Sequence, residues 1–434
     1  VFFAAQKKCW YIVQQLTMAG GLMQLVAYGA QDVYLTGNPK VTFFQAVYRR
    51  HTNFAMENIE QTVNGTAADS GRVSVTIARN GDLVSEMYVE LKSKAGLESN
   101  TSTSGADACW VAERAIKDVE LSIGGQRIDK TYQKWWRLYS ELYLDESKKA
   151  SWGKMTTAVG SQVFLPLIFF FNRNPGLALP LIALQYHEVR LDFDLSDQFS
   201  THTDGSTFKV WANYIYLDTE ERRRFAQKGH EYLIEQVQHT GVDSVTASGG
   251  TKQVRLSYNH PVKELVWALS ANEAQQGLWN FTKTAGDGDI IMESDATLGA
   301  AAGLVPTSLS GAPMLFSTGA QKFTEEAVGT IDTFKLVLNG QDRMKEQSGK
   351  YFNQLQSFQH HTGSPYAGIY SYSFALKPEE HQPTGSCNFS RIDNAQVAVK
   401  TVGDNTAATN LHMFAVNYNV LRIQSGMGGL AFSN

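Results

Sequence analysis

The chain has 434 residues, 38 Lys and Arg against 42 Asp and Glu, and a formal net charge of −4. A single hydrophobic core seldom grows past roughly 250–300 residues, so two domains are expected. A slightly acidic balance argues against a broad nucleic-acid-binding surface, and three cysteines without paired spacing (Cys9, Cys109, Cys387) make neither a disulfide framework nor a zinc site and fit a reducing compartment.

Residues 1–17 begin without Met, and Lys7 and Lys8 interrupt any signal-peptide apolar region. They read as an upstream extension absent from the mature protein; an ordered arm is the alternative. Residues 18–40 mix Gly with apolar side chains and end at the breaker Gly37-Asn38-Pro39, which reads as an arm that packs on a neighbouring subunit. A first strand is expected over Val41–Val47, followed by Arg49, Arg50 and His51, a solvated strand end or an anion contact. Val73, Val75 and Ile77 alternate with polar residues, and Asn80-Gly81-Asp82 turns the chain into a strand over Leu83–Leu91. Residues 96–105 read as a surface loop. Val119, Leu121 and Ile123 form a strand closed by Gly124-Gly125. Tyr132–Leu144 has near-helical apolar spacing and predicts a helical excursion whose aromatics serve a core or a subunit surface.

The stretch Phe164–Leu195 organises the chain. Its apolar runs around Asn174-Pro175-Gly176 predict two buried strands and a tight connection, and its end alternates Val189, Leu191, Phe193 and Leu195 against Arg190, Asp192 and Asp194. The prolines at 166, 175 and 180 exclude a long helix. Lys209–Leu217 is a further alternating strand. Asp218–Lys228 is a charge run that suits a capped linker helix, with acids in its first turn and bases in its last; Arg222–Arg224 are candidates for phosphate or carboxylate binding, against a solvated helix with internal ion pairs.

The second half echoes the first in the same order. Arg79–Leu91 is matched by Tyr258–Leu269, ELSIGGQRIDK (120–130) by KLVLNGQDRMK (335–345), and Phe164–Leu195 by Gly368–Lys400. Unequal offsets place a long insertion between about Ser270 and Thr330, rich in Gly, Ala, Ser and Thr. The chain closes with a strand through Val420 and Ile423 and a Gly-rich tail. These patterns predict an all-β protein of two tandem antiparallel jelly rolls with short helices in loops and linker: 1–40 arm, 41–217 first jelly roll, 218–231 linker, 232–434 second.

No catalytic constellation is expected. The sequence has no G-x-S-x-G, H-E-x-x-H or P-loop, and His360-His361, read as strand neighbours, would point to opposite faces. No catalytic residue, cofactor or metal is assigned. Candidate glycosylation acceptors are Asn280, Asn100 and Asn64, whereas Asn388 lies where a strand begins and is not expected to be modified.

At this point the sequence resembles the major capsid proteins of large nucleocytoplasmic DNA viruses, especially those of algal viruses. The resemblance rests on MAGGLMQLVAYGAQDVYLTGNPK (18–40) with VTFFQAVYRRHTN (41–53), Arg79–Leu83, VELSIGGQRIDK (119–130), Val163–Leu191, DTEERRRFAQKGHEYLIEQ (218–236), LNGQDR (338–343), Ser373–Asn394 and NYNVLRIQSGMGG (417–429). It implies that each half is an eight-stranded jelly roll and that the chain is a structural virion protein, not an enzyme. Homotrimers would form pseudo-hexagonal capsomers that tile an icosahedral shell, in contact with neighbouring capsomers and minor capsid proteins. The arm would face the inner viral membrane, outer loops would carry glycans, and assembly would take place in the host cytoplasm, with no sequence-specific nucleic-acid contact. The competing readings are a minor capsid paralogue of the same fold and a carbohydrate-binding β-sandwich lectin.

Overall fold

The computed structural model describes residues 20–94, 110–156, 162–271, 281, 329–365, 368–405 and 408–432. It has two compact units, one ending at Thr52 and one starting at Asn53. In the first, helix α1 (Gly20–Val26) and the single turn α2 (Val33–Thr36) precede an irregular segment. The strand expected over Val41–Val47 is absent. Val41, Phe43, Phe44 and Val47 are all exposed, and without a ladder partner their alternation cannot form a sheet.

The second unit begins with β1 (Phe54–Gln61), β2 (Val63–Asn64), β3 (Arg72–Thr76), β4 (Leu83–Ser93), α3 (Val111–Ala115), β5 (Ile116–Ile123) and β6 (Gln126–Tyr132). It continues with α4 (Gln133–Leu142), α5 (Glu146–Thr156), β7 (Gln162–Pro166), α6 (Phe170–Arg173), β8 (Leu179–Pro180), β9 (Val189–Leu195), α7 (Phe199–His202) and β10 (Thr203–Leu217). One antiparallel sheet runs β1-β10-β4-β7, with β8 beside β4; the other runs β2-β3-β9-β5-β6. Their inward residues, such as Val89, Leu91 and Val210 from one and Val75, Leu191 and Phe193 from the other, share one core. The alternation expected at 189–195 is realised, with the four apolar residues buried.

Helix α8 (Thr219–Gln227) links this to β11 (His230–Ser244), β12 (Thr251–Leu256), β13 (Pro261–Ala271), β14 (Ile331–Leu338), β15 (Gln341–Asp342) and β16 (Gln347–Ser348). A π turn (Tyr351–Leu355) runs into α9 (Gln356–His360), followed by β17 (Ile369–Ser373), β18 (Cys387–Asn388), β19 (Ala395–Thr401), β20 (Ala408–Gln424) and β21 (Met427–Leu430). The sheets run β11-β20-β13-β17 and β12-β19-β14-β15, the same order of positions as in the first half. Each sequence echo falls on equivalent strands: β4 with β13, the β5–β6 hairpin with β14–β15, β7 with β17, and β9 with β19. Both hairpin turns take positive φ at two residues, Gly124 and Gly125 in one and Asn339 and Gly340 in the other, the geometry that suits a tight right-twisted hairpin. The fold is therefore a double jelly roll.

Two local expectations need correction. The stretch after Phe164 is not two long strands: β7 ends at Pro166, Phe170–Arg173 makes a helical turn, and β8 has two residues. Three phenylalanines in a row (Phe169–Phe171) are all buried, which one strand face cannot achieve but a turn can. Asp218 precedes the linker helix but makes no side-chain cap. The Gly-rich tail contains β21, which pairs with β20. The insertion between Ser270 and Thr330, like the 96–105 loop and residues 1–17, falls outside the described residues save Ala271, Phe281 and Gly329.

Candidate inter-domain seam and assembly surface

The sheet β11-β20-β13-β17 has two covered faces. Leu265, Trp267 and Leu269 of β13 point into the second jelly roll's own core. Val266 and Ala268 point the other way, with Phe414 and Val416 of β20, into the core of the first jelly roll. Alternate residues of two strands thus serve two cores, which is why VKELVWAL and LHMFAVNYNVL read as nearly unbroken apolar runs.

Helix α4 supplies much of the opposing surface. Trp135, Leu138 and Leu142 recur at helical spacing and are buried together with Trp136. Trp135 and Tyr132 pack on Phe414, with ring centroids 5.4 and 6.0 Å apart. The aromatic stripe of Tyr132–Leu144 is therefore covered within the chain, so of the two expected roles the core holds and the subunit surface does not.

Charged groups cross the same seam. Arg173 of α6 reaches Glu235 of β11 (3.0 Å), whose other oxygen meets Lys263 of β13 (2.6 Å). Burial pushes the Glu235 carboxyl up, but the two cations outweigh it and hold it below the ordinary range. Tyr143 donates to Glu264, and Glu264 also contacts the His361 ring, whose Nδ1 lies 3.2 Å from Glu379. Burial alone would lower the His361 pKa; the two carboxylates dominate and raise it to about 9. Asp129, mid-way along β6, accepts from the backbone N–H of Lys130 (2.8 Å) and Val237 (3.2 Å), and burial pushes its pKa to about 7. Lys134 donates to Ser270 Oγ (2.6 Å) and sits 2.7 Å from His412, and burial pulls its pKa down to about 7. Beneath the seam Arg137 pairs with Glu141 (2.7 Å) and Lys149 donates to Ser364 O (2.9 Å).

The C-terminal hairpin adds a third contact. Tyr186 N donates to Gly426 O (3.0 Å), and the His187 ring contacts both backbone groups of Gly428. A Cβ at Gly124 would stand 2.5 Å from the His187 ring, so glycine is required there by space as well as by φ. Together these contacts fix the angle between the lobes. An apolar interface with buried, directional charge pairs tolerates few alternative arrangements.

The candidate site residues are scattered. Asn64 is exposed on β2, opposite Ser74; Asn100 and Asn280 lie outside the described residues. His360 and His361 lie at the end of a helix, not on a strand, and serve different contacts: His360 meets Leu376 O and His361 the two glutamates. Glu379 docks its own loop by accepting from Thr362 N (2.8 Å). Among the described residues no group of three or more His, Cys, Asp or Glu could hold a metal, and no helix is long and apolar enough to cross a membrane. Sequence reasoning missed Glu235, Lys263 and Glu264. Their signal was charge inside otherwise apolar strands, as in YLIEQV and VKELVWAL.

Residues 42–218 match a family model described as the major capsid protein N-terminus, and residues 221–429 one described as the large eukaryotic DNA virus major capsid protein. The chain belongs to this major capsid protein family. It is 46% identical over 459 residues to the major capsid protein of Paramecium bursaria Chlorella virus 1, covering 96% of this chain and 100% of the relative. The Pyramimonas orientalis virus major capsid protein is 42% identical, with the same coverage. Among solved structures, a quasi-atomic model of the Paramecium bursaria Chlorella virus 1 capsid superposes with a TM-score of 0.73 at 39% identity, covering 91% of this chain and 100% of that one. The Faustovirus major capsid protein superposes at 0.65 with 13% identity, a likeness of fold. This major capsid protein is thus a structural component of a large DNA virus, located in the virion capsid, and the lectin reading falls away.

Proposed function

We propose that three copies of this major capsid protein form a pseudo-hexagonal capsomer. The observation that carries this reading is the repeat of one sheet order in two lobes locked by a buried seam. A rigid chain offering two similar lobes can present six of them around a threefold axis. On this reading the expected 41–217 and 232–434 are the lobes, the first beginning at Asn53 and not at 41, 218–231 is the linker, and the arm extends from the expected 1–40 to Thr52. The exposed Tyr34, Phe43, Phe44 and Tyr48 would be covered by neighbouring subunits, minor capsid proteins or the inner membrane surface, since an apolar stretch of this size is costly in water. Capsomers would assemble in the host cytoplasm without catalytic turnover, and Asn64, exposed on β2, would be a glycan acceptor together with Asn100 and Asn280. Class averages of the purified protein by electron microscopy test the arrangement. Six-lobed particles with threefold symmetry are expected; two-lobed particles at all concentrations would overturn it.

A further inference from the structure

The linker helix carries cations that the seam does not use. Arg222 is engaged by Asp82 at 3.0 Å. Arg224 and Lys228 are exposed and line a groove of about 360 Å³ with Gly176, Phe225, His230 and Tyr232. Neither cation has a carboxylate within ion-pair distance among the described residues. The groove's one acid, Glu231, is held by Arg422 at 2.9 Å. The negative end of α8 is blunted, because Arg224 O accepts from Lys228 N (3.2 Å) and Phe225 O from His230 Nε2 (2.8 Å). Two unneutralised cations therefore converge on a concave surface whose own anions are already satisfied.

The far wall is a ladder of rings. Phe225 stacks on His230 (5.2 Å) and His230 on Tyr232 (6.0 Å), each pair inclined by 26°. Rings this close leave no room for a nucleobase between them, so the ladder is a wall and not a stacking platform. We propose that this groove binds a phosphomonoester, free or borne on a lipid headgroup. The dianion matches the two cations, and the planar Arg224 guanidinium can engage two of its oxygens at once. The site is built within one chain, from the linker, the start of β11 and Gly176 of the first lobe.

The test uses the full chain as purified and two probes. One is inorganic phosphate, titrated calorimetrically. The other is flotation with phosphatidylcholine vesicles, with and without phosphatidic acid. The variants are Arg224→Gln/Lys228→Gln and, as a charge control, Arg255→Gln at a remote exposed position. Saturable binding is expected, weakened about tenfold or more in the double variant, as loss of charged hydrogen bonds implies, and unchanged in the control. Binding of phosphate alone assigns the site to a free anion; phosphatidic-acid-dependent flotation assigns it to a headgroup. Binding of neither probe, an unaffected double variant, or an equal loss in the control overturns the proposal.

Discussion

Replacing Glu235 by Gln should be among the most damaging single substitutions at the seam. The side chains of Glu235 and Lys263 are 6% and 1% exposed, and Arg173 approaches from the other lobe at 24% exposure. Removing the carboxylate leaves Lys263 buried without a counter-charge. Breaking a buried pair in this way costs about 3–5 kcal/mol, a large share of the roughly 5–15 kcal/mol that stabilises a typical domain. Arg173→Met should cost less, because Lys263 still neutralises Glu235 and the arginine is the most hydrated of the three. With its main partner gone, Arg173 should matter less in the Glu235→Gln background, so the double variant should fall short of the summed single effects by about 1–3 kcal/mol. Urea denaturation followed by tryptophan fluorescence measures all four proteins. A Glu235→Gln cost below about 1 kcal/mol, or strict additivity with Arg173→Met, would refute the assignment of the seam's rigidity to this triad.

His361 gives a pH signature. Its folded pKa of about 9 lies above the ordinary 6.5, so its stabilisation is complete below about pH 6.5 and disappears as pH rises through about 9, a loss on the order of 3 kcal/mol. His361→Gln should be less stable at pH 7, and its deficit should shrink by pH 9.5 in denaturant titrations; a deficit that stays constant with pH contradicts the Glu264–His361–Glu379 clamp. Asp129 has the opposite effect, since a carboxyl raised from 3.8 to about 7 destabilises the fold increasingly as pH rises between those values. Asp129→Asn keeps an oxygen for the Lys130 and Val237 amides, so it should gain roughly 2–4 kcal/mol at pH 8 and little at pH 4; a loss at pH 8 would show that the charge itself is needed. At the β5–β6 turn, Gly125→Ala has open space and should cost about 1 kcal/mol from its positive φ, whereas Gly124→Ala also meets His187 and should cost about 2–3 kcal/mol by thermal or urea unfolding. Equal costs would mean that His187 yields freely.

Much of the fold was legible because jelly-roll strands obey a period of two and their turns carry specific residues. Val189–Leu195 and the Gly124-Gly125 and Asn339-Gly340 hairpins could be placed from these signals alone. The repeat was legible because equivalent strands kept their turn chemistry. The failures share a cause in tertiary context. Val41–Val47 alternates like a strand but has no ladder partner. Phe169–Phe171 reads as a strand yet needs a helical turn to bury three adjacent rings. For Tyr132–Leu144 the helix was legible, but core and subunit surface both stayed open because nothing local shows that Phe414, far along the chain, covers it. The seam's charges were visible in sequence, but their pairing across lobes was set by the packing of the second sheet between two cores.

Native mass spectrometry of the purified protein bears most directly on the capsomer. A stable species of three chain masses that persists on dilution is expected. A species that stays at one chain mass at high concentration would contradict the trimer.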